Sequence, residues 1–303
     1  MIVGARGVGK TVLLAQAAAI AGSEFGWPRV HTELRPDTPF IPDLIDAIGR
    51  VRNLVAGSAE DLTPALRPAL TELAELAIAR ETGFVLTLDE AHLATRRELA
   101  ALAALLQEGT GERWPVVVVI AGLPLMRAPE HSVTYLERGT WHELGLLSDE
   151  ETVRALSLPA EAAGRPMDED AAIVLADASG GYPYAIQLYG HHAWRASSGH
   201  DRIDLAAAQA ALPRAQQELE SGLYAARWSA ASPTQKRYLT ALATIAATTT
   251  TPMTGRAVAE QLGRTPKQLS SVRDDLIKAG TLTVDDKELR FTIPGMGAYI
   301  RTH

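Results

Sequence analysis

The chain has 303 residues, 47% hydrophobic and 21% charged, with a formal net charge of −7 and no cysteine. That composition provides a sizeable core, argues against a disordered chain and predicts two or three domains. The lack of cysteine excludes disulfide scaffolds, thiolate zinc clusters and thiol nucleophiles. No apolar run approaches the roughly 18 residues of a membrane span, and Met1-Ile2-Val3-Gly4 leads straight into a glycine loop rather than a signal peptide. A cytoplasmic protein with no membrane partner is expected.

In chain order, the apolar stub Ile2-Val3 precedes Gly4-Ala5-Arg6-Gly7-Val8-Gly9-Lys10-Thr11. This stretch fits the phosphate-loop pattern G-x-x-x-x-G-K-[ST], and Val12-Leu13-Leu14-Ala15 continues it as a helix. Glycines let the backbone curl until its N–H groups point at phosphate oxygens, and the following helix adds its N-terminal dipole. Gly4, Ala5, Arg6, Gly7, Val8, Gly9, Lys10, Thr11 and Val12 are therefore expected to line ATP or ADP. Lys10 would reach the β/γ phosphates and Thr11 would ligate Mg²⁺.

Val30 to Leu34 reads as a weak strand, followed by Leu62, Leu66, Leu70, Leu73 and Leu76 at helical spacing. Phe84-Val85-Leu86-Thr87-Leu88 and Val116-Val117-Val118-Val119-Ile120 are short, continuous and β-branched, the pattern of strands buried on both faces. Leu99, Leu102, Leu105 and Leu106 form a helix between them. Strands alternating with helices predict an α/β domain with a parallel sheet.

The first long strand ends in Asp89-Glu90, the second half of a nucleotide site. Asp89 would hold the Mg²⁺ shell, and Glu90 would orient or deprotonate the attacking water. The letters Asp89-Glu90-Ala91-His92 also occur in helicases, but that reading needs a second motor domain, which the rest of the chain does not provide.

From Ser148 to about Ser229 strands disappear. Ser148 with Glu151 makes a capping box, and Gly180-Gly181-Tyr182-Pro183 breaks the helices and starts another. Ser232-Pro233 with Gln235, and Thr265-Pro266 with Gln268, repeat the helix-start signal, while Thr248 to Thr251 looks like a loop. Residues 232–303 carry a net +4 against −11 for the remainder, an asymmetry that hints at an anionic partner.

That basic tail reads as three helices and two strands, Thr281 to Val284 and Leu289 to Ile293, around Asp285-Asp286-Lys287. Leu269, Val272 and Leu276 form one face of its third helix, and at about 100° per residue Lys267, Ser271 and Lys278 point away from it. Arg273 lies about 40° from the apolar face, which suits a structural ion pair better than a ligand contact. Arg264, Lys267, Gln268, Ser271, Lys287 and Arg290 are the candidate contacts to duplex DNA. The competing reading, favoured by the modest charge and by Asp274 and Asp275, is a protein-docking surface.

Together these motifs resemble the AAA+/STAND-type P-loop ATPases related to the origin-recognition initiators. The resemblance rests on Gly4-x4-Gly9-Lys10-Thr11, Leu88-Asp89-Glu90-Ala91-His92, Ala121-Gly122-Leu123-Pro124, Tyr135-Leu136-Glu137-Arg138 and Gly180-Gly181-Tyr182-Pro183-Tyr184, in this order. It implies a five-stranded P-loop core over 1–146, a helical lid over 147–230 and a winged helix-turn-helix over 231–303. It places Arg138 where relatives carry an arginine finger, acting on a neighbouring copy, and Pro183 at the nucleotide. Two departures stand out. Relatives have a longer first strand and an upstream segment against the adenine, and many place a polar residue where this chain has Ala121-Gly122. The implied function is a slowly hydrolysing or partner-stimulated Mg²⁺-dependent ATPase switch that binds duplex DNA. The alternative is a STAND-like signalling module, whose nucleotide state controls docking to a protein partner.

Overall fold

The computed structural model describes residues 1–56, 65–127, 133–248, 252–285 and 287–303. Leu62, Thr249 to Thr251 and Asp286 therefore lie outside the described residues, while Thr248, expected in the same loop, is the last residue of a helix. Contacts divide the chain into two units, Met1–Gly4 with Gly9–Leu144, and Ala5–Val8 with Gly145–His303.

The first unit is an α/β layer structure with strands β1 (Ile2–Gly4), β2 (Arg29–Glu33), β3 (Phe84–Asp89), β4 (Val116–Gly122) and β5 (His142–Leu144). Its helices are α1 (Lys10–Phe25), α2 (Phe40–Ala56), α3 (Leu66–Ala79), α4 (Arg96–Gly111) and the short α5 (Thr134–Glu137). The strands lie in the order β2-β3-β4-β1-β5, and every pairing is parallel. Parallel neighbours need crossover connections, and helices fill them, so apolar side chains on the strands and on one stripe of each helix meet in the core. Leu70 and Leu73 of α3, Leu86 and Leu88 of β3, and Leu99 and Leu102 of α4 are all buried in that core. Leu66, Leu70 and Leu73 thus occupy the predicted stripe. At the head of α4, the Thr95 hydroxyl accepts from the Glu98 N–H while Glu98 accepts from the Thr95 N–H, a reciprocal cap.

One expectation is corrected here. β3 is buried along its whole length, but β4 is not: Val116 and Val118 are only half-buried and Val117 is 46% exposed. Leu14 of α1 packs with Ile2 and Ala121, covering only the C-terminal end of β4. The uncovered part lines an open cleft of about 890 Å³, together with Leu13 and Ala17 of α1 and His142. A run of five β-branched residues does not by itself say how far the covering helix extends.

The second unit begins with four helices, α6 (Asp149–Ala162), α7 (Glu169–Ser179), α8 (Pro183–Ala196) and α9 (Leu205–Glu218). Ser148 and Glu151 cap α6 reciprocally, and the Ser148 N–H holds the Glu151 carboxyl below its ordinary pKa. α9 runs through a π-helical stretch, Leu219–Tyr224, into α10 (Ala225–Ala230). Next come α11 (Pro233–Thr248), α12 (Gly255–Gln261), α13 (Pro266–Lys278) and the antiparallel hairpin β6 (Leu282–Asp285) and β7 (Glu288–Phe291). A last helix, α14 (Met296–Thr302), is additional to the elements read from the sequence. It buries Met296, Tyr299 and Ile300, and Arg301 donates to the Ala243 carbonyl on α11. Among the described residues no helix is long and apolar enough to cross a membrane.

Candidate nucleotide site

The site starts at the end of β1, where three residues of strand give way to the glycine loop. Gly7 and Gly9 take φ values of +80° and +93°, a left-handed conformation in which a side chain is strained. Gly9 sits at the N-terminus of α1, and Lys10 follows as its first residue. Lys10 is buried and its ammonium donates to the Gly4 carbonyl at 3.1 Å. The Thr11 hydroxyl donates to Asp89 Oδ2 at 2.5 Å. Asp89 is itself buried, at the last position of β3, and its Oδ1 accepts from the Glu90 N–H at 2.8 Å. A lysine, a hydroxyl and a carboxylate separated by almost eighty residues in the chain are thus set around one loop.

Glu90 follows the strand at φ +52°, uncommon for a residue with a side chain. Its Oε2 lies 3.2 Å from Nδ1 of His92, whose side chain is buried. Nothing in the spacing of the motif gives His92 a role; its contact with Glu90 follows from the left-handed turn at Glu90, which no local pattern announces. At the end of β4, a Cβ on Gly122 would stand 2.2 Å from Met126 Sδ and 3.1 Å from the His92 backbone nitrogen. A side chain there would therefore have to displace the Met126 thioether and crowd the His92 backbone.

The remaining loop residues, Ala5–Val8, count with the second unit. The Tyr182 hydroxyl donates to the Arg6 carbonyl at 2.9 Å, and the Tyr184 N–H donates to the Gly7 carbonyl at 3.2 Å. Gly180 and Gly181, at φ +57° and +70°, turn the chain so that Pro183 can begin α8. Pro183 is half-buried beside these contacts, while Arg6 and Val12 are exposed and Val8 is buried.

The donor set suits a magnesium nucleotide. A hydroxyl and a carboxylate in direct contact are the hard oxygen donors such a cation takes beside phosphate, and the buried ammonium supplies a fixed positive charge.

Arg138 stands apart from this group. It follows α5, is exposed, and lies on the rim of the cleft against β4 with Met1 and His142. In the tail, Arg264, Lys267, Gln268, Ser271, Lys287 and Arg290 are all exposed. Gln268 Oε1 accepts from the Thr265 N–H at 2.9 Å, which closes the predicted capping box and occupies that oxygen. Arg273 pairs with Asp274 at 2.8 Å.

The parallel five-stranded sheet and the loop around Lys10 define a P-loop ATPase fold. Residues 1–119 match the family model of the AAA ATPase domain, and residues 221–300 match a domain of unknown function, DUF8462. No match is found among curated proteins. Among solved structures, a Walker-type ATPase of Pyrococcus abyssi matches with a TM-score of 0.70 at 15% identity, over 99% of this chain and 90% of that one. Cdc6p of Pyrobaculum aerophilum matches with a TM-score of 0.53 at 18% identity, over 99% and 86% of the two chains. A variant of RuvB from Thermotoga maritima follows with 0.50 at 17% identity, over 96% and 83%. At these identities the likeness is one of fold.

Proposed function

We propose that the chain is a Mg²⁺-dependent ATPase switch that binds duplex DNA through residues 231–303. The observation that carries the nucleotide half is the Thr11–Asp89 contact at 2.5 Å beside the buried Lys10. In this reading the loop N–H groups and Lys10 hold the β and γ phosphates, and Pro183 meets the nucleotide. Thr11 and Asp89 hold Mg²⁺, which when bound with ATP neutralises charge on the phosphate oxygens. Glu90 orients water in line with the γ-phosphorus and accepts its proton as the new P–O bond forms and the bond to the β-phosphate oxygen breaks. With Glu90 against His92 and only Gly122 at the end of β4, slow turnover is the expected behaviour. Arg138, exposed on the first unit, is assigned as a finger reaching the γ-phosphate of a neighbouring copy.

For the tail, the reading is a winged helix: α13 enters the major groove, and the β6–β7 hairpin touches backbone. It is supported by the exposure of all six candidate residues on α13, its approach and the hairpin. The division into a core over 1–146, a lid over 147–230 and this tail is part of the same proposal. A STAND-like signalling module, with the tail docking a protein partner, is the second reading. Exposed Asp274 and Asp275 on α13 and the use of Gln268 in its own cap favour it.

Fluorescence anisotropy with a generic duplex and Mg-ATP, over a series of salt concentrations, separates the two. Four phosphate contacts from Arg264, Lys267, Lys287 and Arg290 would give a log–log slope of about −3 to −4. No binding at low salt would reject the DNA reading and leave protein docking.

A further inference from the structure

We infer that Tyr182 is a positioning residue that sets the phosphate loop in its binding conformation before nucleotide arrives. The inference rests on the nucleotide-binding reading above. A trans peptide is planar, and its C=O and N–H point in opposite directions; the chain has no cis peptide among its described residues. Fixing one carbonyl therefore aims the next residue's N–H. The Tyr182 hydroxyl holds the Arg6 carbonyl at 2.9 Å, which turns the Gly7 N–H the other way. The Tyr184 N–H holds the Gly7 carbonyl at 3.2 Å, which does the same for the Val8 N–H. Two consecutive donors, in the part of the loop that must face phosphate, are thereby oriented by one turn of a distant helix.

The fit around these bonds is close. Tyr182 is 1% exposed, and a Cβ added to Gly7 would stand 2.0 Å from its hydroxyl oxygen, so glycine at this position is needed for Tyr182 as well as for φ. The two left-handed glycines before Tyr182 allow the tight turn that presents it, and Pro183 restricts the start of α8. An anion site whose donors are already aimed does not have to order them on binding, and that saving appears as affinity. Losing one hydrogen bond of this kind weakens binding by about fivefold. Because the affected donors serve phosphate, the loss is shared by ATP, ADP and inorganic pyrophosphate and is indifferent to the base.

The experiment compares the full chain with its Tyr182→Phe variant, both shown folded by circular dichroism, in displacement of a fluorescent ATP analogue by each of the three ligands. The expected result is a loss of about fivefold for all three. A wild-type chain that binds while Tyr182→Phe binds equally well would overturn the inference; a purely structural tyrosine would lower Tm and leave affinity alone. A wild-type chain that binds none of the three would instead reject the nucleotide reading itself. A second measurement needs no variant: ¹⁵N relaxation of the Gly7 and Val8 amides in the nucleotide-free chain. Order parameters near the rigid-backbone value of about 0.85 are expected. Values below about 0.6 would show an unordered loop and overturn the inference.

Discussion

Lys10 is a buried cation, and a buried cation is tolerated only where acceptors surround it; the Gly4 carbonyl provides one at 3.1 Å. Truncating the side chain to a methyl group, Lys10→Ala, removes the fixed charge that phosphate needs. Nucleotide binding by isothermal calorimetry is expected to drop below detection. Glu90→Gln tests the neighbouring role, because an amide keeps the shape but cannot take a proton. Binding is expected to persist while phosphate release falls by about a hundredfold or more; equal turnover in both chains would exclude Glu90 as the base. Gly122 makes a third test. A Cβ there would meet Met126 Sδ at 2.2 Å and the His92 nitrogen at 3.1 Å, so Gly122→Asn should lower stability by about 1–3 kcal/mol in urea unfolding. The glycines and charges of this site were legible as letters at fixed spacing. The Tyr182–Arg6 and Glu90–His92 contacts were not, because the first joins residues 176 positions apart and the second depends on a left-handed turn.

The same contrast holds for whole elements. β3 and the buried stripe of α3 and α4 follow from apolar periodicity, because each side chain on that stripe has one face to meet. Caps also read through: Ser148 and Glu151, and Thr265 and Gln268, close the bonds their spacing predicts. β4 and α14 mark the limit. The exposure of Val117 depends on where α1 stops covering the sheet, and α14 is seven residues long, too short for a periodic signal. α13 carries the clearest division of labour, with Leu269 and Leu276 buried and Lys267 and Ser271 exposed. Leu276→Ala should therefore cost about 2–5 kcal/mol of stability. Lys267→Glu should stay within about 0.5 kcal/mol of the parent in the same unfolding assay, yet weaken duplex binding. Loss of stability in Lys267→Glu comparable to that in Leu276→Ala would mean that α13 does not present the face assigned to it.

At the scale of the molecule, the second unit is tied together by two tyrosine hydroxyls that donate to backbone carbonyls. Tyr182 holds Arg6 in the loop, and Tyr224, at the end of the π-helical stretch, holds Pro294 at 2.7 Å just before α14. Pro294 also packs within 3.0 Å of where a Cβ would stand on Gly180, in the turn that carries Tyr182, so the two ties are neighbours. Burial pushes both phenols up to about 12, partly offset for Tyr182 by nearby Arg227 and reinforced for Tyr224 by Tyr189 and Glu220. In the unfolded chain a tyrosine ionises near pH 10. Between pH 10 and 12 the unfolded state has therefore released protons that the native state still holds, so the unfolded state gains relative stability as pH rises. The contribution of both ties is complete below pH 10 and is lost as pH climbs through the folded pKa. Thermal melts from pH 9 to 12 should show Tm falling more steeply above pH 10. Tyr182→Phe and Tyr224→Phe should each begin from a lower Tm at pH 9 and lose less of it above pH 10, with the double variant flattest. If all four chains declined in parallel, these two hydroxyls would not be the groups that hold the unit at high pH.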